Sequence, residues 1–252
     1  MSVSARRVWV LLAALASVSL TTSLGFWQLR RADGKIALAR VIEQRQHDRP
    51  LLNADWPCSV RQQALPEHRP ALLTGRWIAS RMVYLDNRMM DGQAGFYVVT
   101  PLQLDPPPVC GPAVVLVQRG WVPRDATDRQ RLFPVQTAAG RVQIRGLIAQ
   151  DLSQAYALGQ EPDVSPQQPG PLLRQNMAKQ AWSQWLGVVV APGAVLQHDD
   201  PGSPSSDLKR NWPAPDTGVN MHRAYALQWF AMALIITGLY VWFQLLRPHR
   251  AH

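Results

Sequence analysis

Cysteine is nearly missing from this chain of 252 residues. There are two, Cys58 and Cys110, far apart and outside any CxxC pair. That usage indicates neither a metal site nor dithiol redox chemistry, and the two read as unremarkable thiols. The alternative, a disulfide formed in an oxidising compartment, stays open. Catalytic signatures are missing too: no GxSxG, HExxH, P-loop or Rossmann glycine fingerprint occurs. Carboxylates in the central region are few and sit beside Pro, Gly or Arg, which is turn chemistry. His47, His68 and His198 lie in polar stretches and read as solvated. Nothing in the sequence argues for an enzyme. Acidic side chains number 17 against 26 Lys and Arg, a net charge of +9. The basic residues form no block and no aromatic platform accompanies them, which argues against nucleic acid as a partner. Anionic lipid beside an apolar segment suits that charge better.

What the chain does have is two long stretches without charge, residues 8–26 and 224–246. The mean hydropathy of −0.13 conceals both. Each is long enough to cross a hydrocarbon core of about 30 Å as a helix rising 1.5 Å per residue. Trp9, Phe26 and Trp27 mark the ends of the first, and Trp229, Tyr240, Trp242 and Phe243 those of the second, as an interfacial belt would. The basic start and small residues of "SARRVWVLLAALAS" also fit a cleavable signal, but the apolar run continues past the usual signal core, and a retained span is the expectation. Two spans place both termini on one side. Positive charges flank both ends of both spans, so the positive-inside rule is close to a draw. A loop of nearly two hundred residues translocates largely regardless of its charge, and both termini are therefore expected in the cytoplasm of a bacterium, with the central domain in the periplasm.

Between the spans the pattern is mainly β. "RPALLTGRWIAS", "RMVYLDNR", "GFYVVTPLQL", "AVVLVQRGWV" and "GRVQIRGLIAQ" are short runs rich in Val, Ile, Leu and aromatics, bounded by Gly, Pro, Asp or Asn. "DPPPVCGP" lacks ladder donors and reads as an exposed hairpin loop. "LLRQNMAKQAWSQWLG" reads as a helix ending at Gly187, with Leu173, Met177, Trp182 and Trp185 near one face. "VVVAPGAVLQ" supplies a last strand or two. "DDPGSPSSDLKRNWPAPDTG" reads as a polar tether. The expected fold class is a membrane protein with two transmembrane α-helices flanking one periplasmic, mainly antiparallel β domain with a covering helix (α+β). Its expected segments are a cytoplasmic N-terminus (1–7), helix one (8–28), a juxtamembrane helix or connector (29–59), the β-rich domain (60–197), a Pro/Gly/Ser-rich linker (198–220), helix two (221–246) and a cytoplasmic C-terminus (247–252).

Three clusters carry unusual chemistry. "GFWQLRRADGKIAL" places Gln28 at the membrane face with Arg30, Arg31 and Lys35 on a continuation of the first helix, a pattern that also suits plain lipid anchoring. "YLDNRMMDGQAGFYVVTPL" and "LVQRGWVP" place Arg88 and Arg119 after strands. There Asn87, Asp91-Gly92 and Gly120 read as turn residues, and the arginines as exposed or paired with acids, with an anion or partner site as the weaker reading. "NMHRAYALQWF" opens the second span. At 100° per residue His222, Tyr225, Ala226, Trp229, Ala233 and Tyr240 share one side. Ala224, Ala231 and Gly238 form a nearly opposite line of small residues, and Ala13, Ser17, Thr21 and Gly25 form one on the first span. Small lines let helices approach closely. If those two lines pack together, the His222 face is turned outward. An imidazole there is either an ordinary interfacial histidine or an axial ligand for a heme lying along the helix.

In this order, "GFWQLRRADGK", "LDNR" with "GFYVVTPL", "VVLVQRGWVP" and "NMHRAYALQWF" resemble the Surfeit locus protein 1 (Shy1-like) family of cytochrome c oxidase assembly factors, over nearly the whole chain. The resemblance implies an N-terminal span, an outward-facing β-rich domain and a C-terminal span. It also implies a non-enzymatic role in maturing heme-copper oxidases of the bacterial inner membrane, with heme A bound transiently and passed to oxidase subunit I. Oxidase subunit I and heme A synthase are the partners implied, beside the lipid bilayer and without nucleic acid. The family's proposed heme ligand matches His222. Tyr225 and Trp229 would then contact the macrocycle, Arg223, Arg30 or Arg31 would neutralise its propionates, and Gln28 would belong to the same site. Trp27, Asn87, Arg88, Arg119, Gly120 and Trp121 fall on other motif positions, with a partner-binding or structural role. Many members carry two asparagines just before the histidine; here the order is Val219-Asn220-Met221-His222, a departure that weakens the expectation of hydrogen-bond support from that pair. The alternative role is a cofactor-free membrane scaffold that docks oxidase subunits.

Overall fold

The computed structural model describes residues 3–57, 65–156, 161–199, 207–212 and 218–247. The chain forms two compact units, one made of residues 1–41 with 215–252 and one of residues 42–214.

The first unit is helical. Helix α1 runs from Val3 to Gln46, 44 residues. No proline interrupts it, and it stops just before Pro50, whose ring disfavours helical geometry at the residue preceding it. The charge-free stretch is only its first part; the same helix continues through Arg30, Arg31 and Lys35. Helix α3 spans Val219–Tyr240 behind Gly218, which takes a left-handed φ of 51°, and continues as a π-helical stretch over Val241–Leu246. Both helices are long and apolar enough to cross a membrane. Their hydroxyls turn back on the backbone: Thr21 Oγ1 donates to Ser17 O at 2.8 Å and Thr237 Oγ1 to Ala233 O at 2.8 Å. A span needs this, because lipid offers no other acceptor.

The second unit is built on a closed barrel. Strands β1 (Pro70–Trp77), β5 (Arg141–Ala149), β7 (Ala194–Gln197), β4 (Val114–Pro123) and β3 (Gln93–Leu104) follow one another around it, and β1 closes on β3 through Gly75↔Leu104 to Trp77↔Leu102. Strand β2 (Val83–Met90) extends the sheet beyond β3, and β6 (Leu172–Arg174) extends it beyond β2. Pairing is antiparallel apart from β2 with β6 and β4 with β7. Leu73, Leu102, Leu104, Val115, Val117, Ile144, Ile148 and Val195, drawn from all five barrel strands, form one core. Val83, Leu85, Tyr97, Val99 and Trp121 form a second with Trp182 and Trp185 of helix α2 (Lys179–Leu186). Met82, Tyr84, Phe96, Val98 and Val122 form a third with Leu208. Successive β3 residues thus face different cores, which explains its unbroken apolar run. Asn53 closes one part of the barrel: its amide donates to Thr74 O and Pro106 O, both at 2.8 Å, and accepts from Thr74 N–H at 3.0 Å.

Several expectations need correction. Leu172–Arg174 is a strand rather than the first turn of a helix, because Leu172 N–H donates to Met82 O and the segment pairs with β2. Tertiary pairing overrides the helical spacing there, and α2 begins only at Lys179, ending as expected at Gly187 (φ 70°). The tether is not free throughout. Lys209 pairs with Trp121 in both directions (2.7 and 2.9 Å), Leu208 is buried, and Trp212 stacks edge-on against Tyr97. Cys110 is disulfide-bonded, against the reading of two free thiols; Cys58, the other cysteine of the chain, lies outside the described residues.

Candidate functional site

The two helices of the first unit meet along one line. On α1, Thr21 and Gly25 are buried and Gln28 half-buried, while Ala32 is 1% exposed. On α3, Ala226 (1% exposed) and Ala233 are buried and His222 and Phe230 half-buried. The Phe230 ring lies so near Gly25 that a Cβ there would sit 2.6 Å from it, and Phe230 packs edge-on against Phe26 with centroids 5.3 Å apart. Above this contact the His222 Nδ1 and Gln28 Oε1 are 2.7 Å apart. The expected pairing is therefore half right. Of the small line of α1, Thr21 and Gly25 are buried while Ala13 and Ser17 are exposed, and the buried part faces the His222–Ala226–Phe230–Ala233 side of α3. Ala224, Ala231 and Gly238 are exposed instead, and nothing lies within 4 Å of a Cβ built on Gly238. Two aromatic rings and one polar pair on the His222 side provide contacts that the bare alanine line lacks.

An amide oxygen only accepts, so His222 Nδ1 carries the proton and donates it to Gln28. In the neutral ring so bonded, the other nitrogen, Nε2, holds the unshared pair, the form in which histidine ligates a metal. The strip below the ring, Ala226 and Ala233, is closed by the helix pairing. The flank beside it is open: Tyr225 is 45% exposed and Trp229 half-buried. Arg223 is exposed one residue after His222. Arg31 lies three residues from Gln28 and shares its side of α1, whereas Arg30, two residues on, falls on the far side. Trp27 is exposed. Among the described residues no group of three or more His, Cys, Asp or Glu side chains converges as a metal site would.

The second constellation lies in the β domain and is distinct in kind. Two β-bulges interrupt the ladders on either side of β3. One falls between Leu85 and Arg88, with Asn87 at φ 58°, and the other opposite Val98/Val99, where Arg119 is the extra residue. Arg88 and Arg119 are buried, at 5% and 6% exposure. Among the described residues neither is bonded to an acidic side chain. Arg88 donates to the carbonyls of Asp86 (2.6 Å), Ser153 (2.7 Å) and Gln175 (3.0 Å) and to Asn176 Oδ1. Arg119 donates to Thr137 Oγ1 (2.7 Å) and Gln136 O (2.9 Å), with its guanidinium 4.8 Å from the Trp77 ring centre. Burial pulls the Arg119 guanidinium down to about 10, helped by the neighbouring charge of Arg210. Burial likewise lowers Arg88. The reading of exposed or acid-paired arginines fails here: bulges turn these side chains inward, where Arg119 ties Gln136 and Thr137 to the sheet and Arg88 ties Ser153, Gln175 and Asn176. Gly120 is no turn residue. It lies inside β4, and a Cβ there would meet the Leu208 Cβ at 2.6 Å. Asp91-Gly92 is a turn, closing β2 on β3 with φ 51° and 76° as a two-residue hairpin requires.

The sequence matches the SURF1 family over residues 15–234. The chain belongs to this family. It is 32% identical over 133 residues to Surfeit locus protein 1 of Arabidopsis thaliana, covering 49% of this chain and 36% of that protein. With the SURF1-like protein of Rickettsia felis the identity is 31% over 133 residues, 52% of each. With Surfeit locus protein 1 of Xenopus tropicalis it is 24% over 237 residues, 88% of this chain and 71% of that protein. The match thus spans about a third of the plant protein and half of the rickettsial one. The region shared with the SURF1 family includes the whole barrel, α1 from residue 15 onward and α3 as far as residue 234. The contacts of Gly25 with Phe230 and of Lys209 with Trp121 escaped the sequence reading. Gly25 was visible in a line of small residues, but nothing local distinguishes which face of α3 it meets.

Proposed function

We propose that this SURF1-family protein is a non-enzymatic assembly factor for a heme-copper (cytochrome c) oxidase, anchored in the bacterial inner membrane, that holds heme A as transient cargo for subunit I. Both termini lie in the cytoplasm and the barrel in the periplasm. The observation that carries the reading is the contact of His222 with Gln28, which engages Nδ1 and leaves Nε2 as the ring nitrogen for a ligand. That donor set fits a single axial bond to heme iron. Single ligation also suits a carrier, which has to give its cargo up. Tyr225 and Trp229 offer the open flank for the macrocycle, in place of the closed alanine strip. Arg223 and Arg31 are within a turn of the two site residues and supply cations for propionates; Arg30, on the far side of α1, is better placed for lipid phosphate. The iron and macrocycle belong to the cargo, and the chain's part is to bind, orient and release them. Subunit I and heme A synthase are the proteins such a carrier meets.

The test is genetic. In a strain carrying His222→Ala, with the protein at its normal level, the oxidase is expected to accumulate without its full heme complement. Normal heme loading in that strain would instead favour a cofactor-free scaffold.

A further inference from the structure

The His222 ring is held from a different helix, and that helix supplies one atom to it. Gln28 is half-buried on the α3-facing side of α1, between buried Gly25 and buried Ala32. Its Oε1 lies 2.7 Å from His222 Nδ1. On α3 itself the positions before the histidine are Asn220 and Met221, and His222 N–H is spent on Gly218 O at 3.2 Å. No side chain of α3 bonds the ring among the described residues. Free imidazole distributes its proton over both nitrogens, and a single acceptor at 2.7 Å decides which one keeps it.

We infer that Gln28 is the positioning residue for His222: its amide oxygen fixes the Nδ1–H tautomer and the ring plane, so that Nε2 is the base presented to a ligand. The inference deepens the carrier reading and rests on it only for the identity of that ligand. A metal-bound histidine commonly donates its second N–H to a neighbouring acceptor, and loss of such a partner typically lowers metal affinity about 10- to 100-fold. Because the donor and acceptor sit on separate helices, the arrangement also ties the state of the ring to the packing of α1 against α3.

The experiment uses the full-length protein in detergent, heme-free, with ¹⁵N-labelled histidine at about pH 8, above the ordinary imidazole range. His222→Ala identifies the His222 signals. Wild type is expected to show a protonated Nδ1 and an unprotonated Nε2. Gln28→Leu, which keeps the size and removes the acceptor, is expected to show the averaged pattern of two exchanging tautomers, and Gln28→Glu to restore the Nδ1–H form. Unchanged helix content and thermal transition in Gln28→Leu confirm that the fold survives; if it does not, Gln28→Met serves in its place. A proton on Nε2 in wild type, or an unaltered pattern in the variant lacking the acceptor, overturns the inference. Heme A titration of the same samples separates this from the carrier reading. A wild type that binds no heme sinks the carrier reading and leaves the tautomer result standing. Equal heme affinity in wild type and Gln28→Leu sinks the positioning role and leaves the carrier intact. A loss of about 10-fold or more in Gln28→Leu, recovered in Gln28→Glu, supports both.

Discussion

The indole N–H of Trp121 donates to the main-chain carbonyl of Arg88 at 3.0 Å. The bond joins the two bulges: Trp121 sits two residues after the bulged Arg119, and Arg88 ends the bulge of β2. Trp121 has no exposed surface, pairs through its backbone with Lys209, and lies 5.2 Å from the Lys209 ammonium. One residue thus holds β2 through its side chain and residues 208–209 through its backbone. Trp121→Phe keeps most of the buried volume but strips the Arg88 carbonyl of its indole partner, and is expected to cost about 1–3 kcal/mol. Trp121→Ala adds a cavity and is expected to cost about 3–5 kcal/mol. Chemical denaturation of the purified protein measures both.

Gly120 permits the approach of that segment. A methyl at this position would lie 2.6 Å from the Leu208 Cβ and 3.0 Å from Lys209 O. Gly120→Ala is expected to leave the barrel folded and to dislodge residues 207–212. Hydrogen exchange reads this directly, because the amides of Trp121 and Lys209 bond only if the segment stays docked. Both amides should exchange faster in the variant while those of β3 keep their protection.

Gly25 plays the matching part between the helices, but against a ring that can move. Gly25→Ala requires only a displacement of Phe230, and a small effect is expected. Gly25→Val adds two methyls beyond a Cβ that already meets the ring at 2.6 Å, and should separate Gln28 from His222. Heme occupancy is expected to fall in Gly25→Val and to recover in the double variant with Phe230→Ala. Recovery is the informative result, since a general loss of folding would not be repaired by removing the half-buried Phe230 ring as well.

Asp125 offers a pH readout. Its Oδ1 accepts from Thr127 N–H, the Thr127 hydroxyl and Asp128 N–H, and Arg131 lies 3.3 Å from Oδ2. These bonds, led by those from Thr127, lower its pKa to about 2. A carboxyl with a depressed native pKa stabilises the fold above its unfolded value of about 3.9, and the contribution is lost as pH falls through about 2. The stability gap between wild type and Asp125→Asn should therefore be constant from pH 7 to pH 5 and close as pH approaches 2. Thermal unfolding of both across that range checks it.

Much of the architecture was legible because it rests on local patterns. Charge-free apolar stretches mark the two helices, short runs rich in Val, Ile, Leu and aromatics mark five strands, and Asp91-Gly92 marks a turn. What was hidden depends on partners distant in sequence. Leu172–Arg174 shows a helical spacing and becomes a strand because β2 offers it a free edge. Arg88 and Arg119 look like surface cations and are buried because two bulges rotate them inward, a backbone event with no composition of its own. At the candidate site the family resemblance put Gln28 and His222 in one site, yet no local pattern gave the direct contact between the two side chains. Which side of α3 faces α1 is decided by Phe230 filling the space over Gly25, a complementarity between residues about two hundred positions apart.

The central claim is that His222 presents a nitrogen base to heme iron. The most direct measurement is the absorption spectrum of detergent-purified protein coexpressed with heme A synthesis, wild type beside His222→Ala. The account predicts heme A Soret and α bands in wild type that are lost or shifted in the variant. Spectra without heme in both, or identical heme bands in both, would contradict it.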